Sequence, residues 1–371
     1  MVEPIKFSLI GGGFRAQFYL RIAQALPEQF VVSGMVVRDE IKGKKMENQW
    51  NVVTYRTMDE LLQNESPNFT VLCVNRKASL DYLFDLAHRE IPVLAETPPA
   101  PDLNGLIAIS ELLKRGAKIQ VAEQYVFQPM HAAYLKVIES GRLGNVNEAT
   151  VSVSHAYHGI SMIRKMLGIG CEKAKIQAMR FQSPWISGPN RKGPPETEKI
   201  EMSKRDIAWI RFGDKLGIYD FTKDQHRSWI RSNSISLRGE RGEIFDDQLN
   251  VLEDYKTPLH LDFKRVNKGE QGNLEGYFLD GIIAGEKWVY KNPFAPARLF
   301  DDEIAIATCL IKMADYISGG SEFYSLAEAA QDHYLGLLVE QAIATESVVI
   351  SAKQPWHEYM KHKILSNNSS L

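Results

Sequence analysis

Residues 7–39 read FSLIGGGFRAQFYLRIAQALPEQFVVSGMVVRD. A short apolar run, Phe7 to Ile10, meets a glycine triplet, Gly11 to Gly13. Beyond it Phe18, Tyr19, Ile22, Ala23 and Leu26 recur at the spacing of one helix face. A second apolar run, Val31 to Val37, ends in Arg38-Asp39. The order strand, glycine turn, helix, strand is a βαβ unit of the kind that holds a dinucleotide. Gly11 permits the tight turn out of the strand, and Gly13 lets backbone approach a pyrophosphate. Ala16 is the third small position and keeps the helix close to the sheet. Phe14 and Arg15 border the same turn, with Arg15 a phosphate contact or a solvated helix-start cation. The first free N–H groups of the helix, at its positive end, would face the phosphates.

Outward from this unit the alternation continues to about residue 125. A short strand at 52–56 precedes the helix MDELLQ, and FTVLCV (69–74) is apolar throughout, as a strand buried on both faces should be. A helix at 78–89, the strand IPVLAE, a helix from Asp102 to Arg115 and the strand KIQVAEQY complete a parallel, doubly wound sheet. After Tyr125 the texture changes. A helix from His131 to Ser140 ends at the turn GRLGN, and NEATVSVSHAY (147–157) reads as a strand. Residues 186–204, rich in Pro, Gly, Lys and Glu, read as a long surface loop. DIAWIRF, KLGIYDF, SNSISLRG and GEIFD alternate as strands of an open, mostly antiparallel sheet. Two helices, Asp301 to Tyr316 and Leu326 to Ser347, precede a tail, SNNSSL (366–371), expected to fray. The fold class is therefore α/β, with a nucleotide-binding domain over 1–125 and a second α/β domain over 126–371. The second domain is expected to carry substrate and subunit contacts, and its final helix to pack back toward the first.

With 371 residues, 44% hydrophobic and 24% charged, the chain has the composition of a globular protein with room for two cores. A net charge of −2 implies no general attraction to nucleic acid or to an anionic membrane. No apolar run approaches the ~20 residues of a membrane span. The N-terminus enters the first strand without a signal-peptide layout. Three scattered cysteines, Cys73, Cys171 and Cys309, argue for a reducing cytoplasm rather than a disulfide framework.

Six segments in order resemble the Gfo/Idh/MocA family of NAD(P)-dependent sugar and inositol oxidoreductases over nearly the whole length. They are IGGGFRAQFYL, LAETPPAPDL (94–103), VAEQYVFQP (121–129), GRLGNVNEATVSVSHAYHGISMIRKMLG, the pair YDFTKDQHRSW and SLRGERGEI, and FDDEIAIATCL with YSLAEAAQDHYL. The resemblance implies a Rossmann domain followed by an α/β domain. The open sheet of the second domain roofs the site and usually forms the interface of a homodimer or homotetramer. It implies a small sugar or polyol substrate, and neither nucleic acid nor membrane as partner. Two departures stand out. The family's Glu-Lys-Pro is Glu96-Thr97-Pro98 here, so no lysine charge acts on a reacting hydroxyl. The family's helix-start aspartate matches Ser154, while His158, Ser161 and Arg164 fill the following positions.

His158 is the candidate general acid/base, since alcohol dehydrogenation needs an acceptor for the hydroxyl proton and histidine titrates in the useful range. Glu96 and Thr97 end a strand at its carboxyl end, where ligands bind; the resemblance implies that Glu96 lies near the nicotinamide ribose and that the bond before Pro98 is often cis. Tyr157 either donates a proton or lines the pocket. His155 and His158 form an H-x-x-H pair, but no carboxylate or cysteine completes a set, so no metal is expected. Gln124 is expected near the nicotinamide amide, and Asn75 and Arg76 along the cofactor groove. Arg38 follows the second strand where NAD enzymes carry a carboxylate, and a guanidinium suits a 2′-phosphate, so NADP is favoured over NAD, with Asp39 as the alternative reader of the ribose. Tyr125, His155, Arg164, Gln225, His226 and Trp229 are expected to bind substrate; Tyr219, Gln225, His226, Trp229 and Arg231, on or after a strand of the roofing sheet, suit either sugar binding or the subunit interface, and Asp332-His333 on the last helix either approach the site or are structural. The expected reaction is hydride transfer to or from a secondary alcohol of a sugar, inositol or related polyol. A dinucleotide-binding sensor without turnover, and a redox-neutral reaction on retained cofactor, are the alternatives.

Overall fold

A computed structural model describes residues 3–271 and 273–361. The expected tail, 366–371, lies outside the described residues. The first third of the chain builds β1 (Ile5–Ile10), α1 (Ala16–Ala25), β2 (Phe30–Val36), α2 (Glu40–Trp50), β3 (Thr54–Tyr55), α3 (Met58–Asn64), β4 (Phe69–Leu72), α4 (Arg76–His88), β5 (Val93–Ala95), α5 (Leu103–Lys114) and β6 (Ile119–Val121). The six strands form one sheet in the order β3-β2-β1-β4-β5-β6, every pair parallel. The order reverses direction between β1 and β4, and the crevice at their carboxyl ends is where open α/β sheets bind ligands. FTVL is buried along its whole length, as its unbroken apolar run requires. Helix starts are set by short polar side chains: Asp39, Asn75 and Asp102 accept from the backbone N–H of Lys42, Ala78 and Gly105.

A 3-10 turn, Gln124–Phe127, leads to α6 (Pro129–Glu139), β7 (Val146–Ser152) and α7 (Ala156–Leu167). Then follow β8 (Ala174–Ile186), β9 (Ile200–Phe212), β10 (Lys215–Thr222), a second 3-10 turn (Lys223–Arg227), β11 (Ser234–Gly239), β12 (Gly242–Phe245), β13 (Gln248–Leu252), β14 (Pro258–Glu270), β15 (Asn273–Ala284) and β16 (Lys287–Lys291). The chain closes with α8 (Asp301–Ile317), α9 (Leu326–Thr345) and β17 (Val349–Ile350). Eleven strands form the second sheet, in the order β16-β15-β14-β13-β12-β11-β7-β10-β9-β8-β17. Only β7 and β10 pair in parallel. One face is covered: Ala208, Ile210 and Phe212 of β9 point inward beneath the helices while Trp209 between them is 41% exposed.

Three expectations change. The strand read over 147–157 stops at Ser152, and α7 begins at Ala156. The last strand of the first sheet ends at Val121, because Glu123 accepts from the Tyr125 N–H and starts the 3-10 turn. The loop read over 186–204 is confined to 187–199, with β8 and β9 pairing from Ala174↔Phe212 out to Ile186↔Ile200. Alternation there is hidden by polar residues on the open face. The long strands β14 and β15 also escape the sequence pattern, for the same reason.

The C-terminal helices return to the first sheet. Ile304, Leu310 and Met313 of α8 share one core with Phe7, Leu9 and Tyr19, and Phe300 packs on Phe18 at 5.8 Å. Helix α9 lies against α7, where Gly336 approaches Ala156 and Ile160. Gly159 admits the Tyr219 ring: a Cβ there would sit 2.7 Å from it. These contacts fix α7, and with it His158, between the second sheet and α9. Among the described residues no helix is long and apolar enough to cross a membrane.

Candidate active site

Two adjoining cavities follow the carboxyl ends of the parallel strands, sharing Cys73 and Val74 as a common wall. The first, about 320 Å3, is lined by the glycine turn, Arg38, Asp39, Lys42 and Asn75. Gly11 has φ +113°, and a Cβ on it would meet the Cys73 carbonyl oxygen at 2.5 Å, so no other residue fits. A Cβ on Gly13 would meet nothing within 4 Å, so the turn opens onto free space. Helix α1 has no side-chain cap, which leaves its first N–H groups available beside that space. This is the arrangement a pyrophosphate needs. Asn75 lines the groove as expected, its side chain capping α4. Arg76 begins α4, is exposed and lines neither cavity, although its charge acts on His155 at the second one.

Asp39 is committed to the Lys42 N–H at 2.7 Å. Arg38 and Lys42 line the same cavity, and neither side chain forms an ion pair among the described residues. Sequence reasoning found Arg38; Lys42, one helical turn into α2, went unnoticed because that helix was not recognised.

The second cavity, about 350 Å3, lies between the first sheet and α7. Glu96 and Thr97 enter from the end of β5, and the Thr97–Pro98 bond is cis. Gln124 and Tyr125 enter from the turn after β6, Ser154, His155 and His158 from the start of α7. Gln124 lines the cavity, and its buried Oε1 atom has no hydrogen-bond partner among the described residues.

The central feature is a line of three side chains. Glu123, fully buried, meets His158 Nδ1 through both oxygens, at 2.7 and 3.0 Å. His158 Nε2 lies 3.4 Å from Thr97 Oγ1. Tyr125 packs against the imidazole at 4.4 Å with its ring tilted by 31°, and Tyr157 packs edge-on at 5.1 Å. Burial pushes the Glu123 carboxyl up to about 8 and His158 down to about 3. Both shifts favour neutral forms, so the pair is two neutral groups sharing a proton rather than an ion pair. Glu123 lay inside the quoted VAEQY, at the carboxyl end of the last parallel strand. Its position was the available signal, but only the fold brings it to a histidine 35 residues on.

Several expected site residues are placed otherwise. Arg15 turns from the phosphate groove: its Nε donates to Glu96 at 2.9 Å, and it lies 5.1 Å over Phe18. Glu96 also accepts from Tyr19 at 2.6 Å, so it is held by two donors at the cavity edge. Tyr157 lines neither cavity; its buried hydroxyl has no partner, and burial raises its pKa far above the usual phenol, which leaves it a packing residue. Arg164 is wholly buried away from the cleft, bound to Asp332 at 2.5 Å and Glu328 at 3.0 Å. The helical period sends position 164 to the face of α7 opposite the cavity. Gln225 donates to the carbonyls of Ser152 and Ser232 and straps two loops together. Trp229 is 73% exposed and outside the cavity. His155 and His226 do line it, and His155 is held neutral, burial pushing it down to about 2. His333 bonds the Pro101 carbonyl at 3.3 Å. Phe14 lines the second cavity, with Arg191 stacked on its ring at 4.4 Å. Arg191, Arg227 and Asp302 complete the wall and were not foreseen.

Residues 5–124 match the Gfo/Idh/MocA family, described as an oxidoreductase family with an NAD-binding Rossmann fold. No curated protein matches the chain by sequence. Among solved structures, an oxidoreductase from Agrobacterium radiobacter in complex with NAD+, L-tartaric acid and magnesium aligns at 16% identity and TM-score 0.67, covering 94% of this chain and 98% of that one. Levoglucosan dehydrogenase in complex with NADH and levoglucosan aligns at 17% identity and TM-score 0.67, covering 94% and 100%. An NAD-binding oxidoreductase from Klebsiella pneumoniae aligns at 12% identity and TM-score 0.69, covering 95% and 100%. At such identities the likeness is one of fold, and it extends across both sheets. Residues 5–124 thus match the NAD-binding Rossmann domain of the Gfo/Idh/MocA oxidoreductases, and the fold likeness to solved oxidoreductases runs through both sheets.

Proposed function

We propose that the chain transfers hydride between a nicotinamide dinucleotide, NADP(H) in preference to NAD(H), and a secondary alcohol of a sugar, inositol or related polyol. The observation that carries this reading is the Glu123–His158–Thr97 line on the wall of the second cavity, adjoining the glycine turn. Gly11, Gly13 and the uncapped start of α1 would hold the pyrophosphate, and the unpartnered Gln124 Oε1 would accept from the nicotinamide carboxamide. Nicotinamide bound there supplies the hydride acceptor or donor. His158 moves the proton of the reacting hydroxyl through Nε2, directly or by way of Thr97 Oγ1, with Glu123 holding the Nδ1 side. Glu96, tied to Arg15 and Tyr19, shapes the edge of the site. A sensor without turnover would have no use for a buried carboxylate–imidazole pair at this wall, whose desolvation costs folding energy.

The reading is tested by titrating the protein with NADPH and NADH under nicotinamide fluorescence, then following absorbance change with a polyol and sugar panel. Binding of neither nucleotide by folded protein would sink it. Cofactor choice rests on Arg38 and Lys42. Hydrogen bonds to a charged group contribute about 1.5–3 kcal/mol, so R38Q/K42Q should weaken NADPH binding roughly 10- to 100-fold and leave NADH nearly unchanged. Equal losses for both nucleotides would remove the NADP preference.

The open face of the second sheet supports a homodimer or homotetramer. Met179, Phe181 and Trp209 of β8 and β9 are 47%, 51% and 41% exposed on adjacent strands. Light scattering should give a multiple of the 42.0 kDa chain mass, and Trp209→Arg should shift it toward monomer. Cys73, Cys171 and Cys309 are free thiols, which suits a cytoplasmic setting.

A further inference from the structure

We propose that the substrate carries an anionic group, a carboxylate or phosphate, received by Arg191 and Arg227. The inference deepens the reading above and rests on the second cavity being the substrate site. Arg191 stands at the apex of a built turn in the 187–199 loop. Asn190 and Gly193 exchange both backbone hydrogen bonds, at 3.0 and 3.1 Å, and the Asn190 side chain accepts from the Lys192 N–H at 2.8 Å. The guanidinium rests on the Phe14 ring, so the second domain's loop reaches across to the glycine turn and holds the charge over the cavity mouth. Arg227 ends the 3-10 turn that Gln225 anchors to Ser152 and Ser232. Both cations are therefore placed by backbone and amide contacts, not by an acid.

The charge balance of the cavity has no internal answer for them. Arg15 and Glu96 neutralise each other. Asp302 is the remaining acid on the wall, and it accepts from Gln128 at 2.6 Å. His155, His158 and His226 are all shifted toward their neutral forms, first of all by burial. Neither Arg191 nor Arg227 has a carboxylate at ion-pair distance among the described residues, whereas Arg164, Arg180, Arg205 and Arg265 each have one. Two guanidiniums against one aspartate leave the wall positive. An oxyanion on the substrate completes it by paired, charge-assisted hydrogen bonds. A neutral polyol would leave that charge unmatched.

The test uses protein saturated with NADPH and three probes: D-gluconate, D-glucose 6-phosphate and neutral D-glucose, with binding read from nicotinamide fluorescence. At least one anion should bind about tenfold or more tightly than D-glucose, and its affinity should fall as salt is raised. Which anion wins separates carboxylate from phosphate. The R191Q/R227Q variant should lose that preference while its NADPH affinity stays within about threefold of the parent. The proposal is overturned if D-glucose binds as well as both anions, if none of the three binds, or if the preference survives in the variant. A variant that loses NADPH affinity and keeps anion preference would assign the arginines to the cofactor instead. Turnover is scored separately. Anion preference without hydride transfer counts against the proposed reaction and leaves this inference standing, and turnover confined to neutral polyols does the reverse.

Discussion

His158→Ala should lower kcat at least about 100-fold, with NADPH affinity nearly unchanged. General acid–base groups contribute about 10²–10⁴-fold, and His158 is the one imidazole in the cavity with both nitrogens engaged in a directed line, 2.7 Å to Glu123 and 3.4 Å to Thr97. His155 lies 4.7 Å away ring to ring, without a carboxylate partner, and cannot take over the task. Thr97→Val should cost less, because substrate hydroxyl can meet Nε2 without the relay. A loss under about tenfold in His158→Ala would remove the histidine from the chemistry.

The same pair sets a pH dependence whose sign differs between directions. Near neutrality Glu123 holds its proton toward Nδ1, since burial has pushed its carboxyl up to about 8, and Nε2 then carries the hydrogen. This form donates, as carbonyl reduction requires. Loss of that proton leaves a carboxylate accepting from Nδ1–H and a lone pair at Nε2, the form that alcohol oxidation requires. Oxidation should therefore rise, and reduction fall, as pH passes the pair's apparent value near 8. Glu123→Gln cannot titrate, so both limbs should flatten there. A Gln variant that keeps the parent's crossing would show that another group titrates, whatever its effect on rate. Glu123 is thus a positioning residue whose role shows in the profile, not only in the loss of turnover.

Much of the fold was legible because it rests on local rules. The glycine turn, the fully buried β4 and the capping residues before α4 and α5 each carry their own reason in a few residues. The long strands of the second sheet were harder. On β8 and the first half of β9 one face is solvent-exposed and mixes Lys, Arg and Gln with Met and Phe, which erases the alternation that DIAWIRF, the second half of β9, still shows. The site was legible in its anchors, Gly11, Thr97, Gln124 and His158, which sit at strand or helix ends. What stayed hidden depends on distance in space. Glu123 gains meaning only beside His158, Lys42 only from α2, and Arg191 only when its loop meets Phe14. Arg164 shows the converse: a charged residue six after a candidate catalytic histidine reads as a ligand contact until the helix period turns it to the opposite face.

That opposite face carries the largest expected effect on stability. Arg164→Met should destabilise the fold by about 3–5 kcal/mol, the usual cost of stranding one member of a buried ion pair. The guanidinium is inaccessible and fully occupied: it binds Asp332 at 2.5 Å, Glu328 at 3.0 Å and the Gly170 carbonyl at 2.6 Å. Asp332 is equally buried, and its one other hydrogen-bond partner among the described residues is the Tyr324 hydroxyl. Burial pushes Asp332 up to about 6, with Arg164 opposing the shift. A folded pKa above the unfolded value of about 3.9 means that the folded state holds the proton longer. Its contribution is present at low pH and is lost as pH rises from about 4 through 6. Without Arg164 the folded value moves higher still, so the variant's penalty should be largest near neutrality and shrink as acid protonates the carboxyl. Urea unfolding at about pH 5 and about pH 7.5 measures this. An equal penalty at both would show that lost packing, not a stranded charge, is responsible. Arg164→Met/Asp332→Leu, which removes the charge with its partner, should recover much of the stability and retain NADPH binding, because this network supports α7 from behind and never enters the cleft.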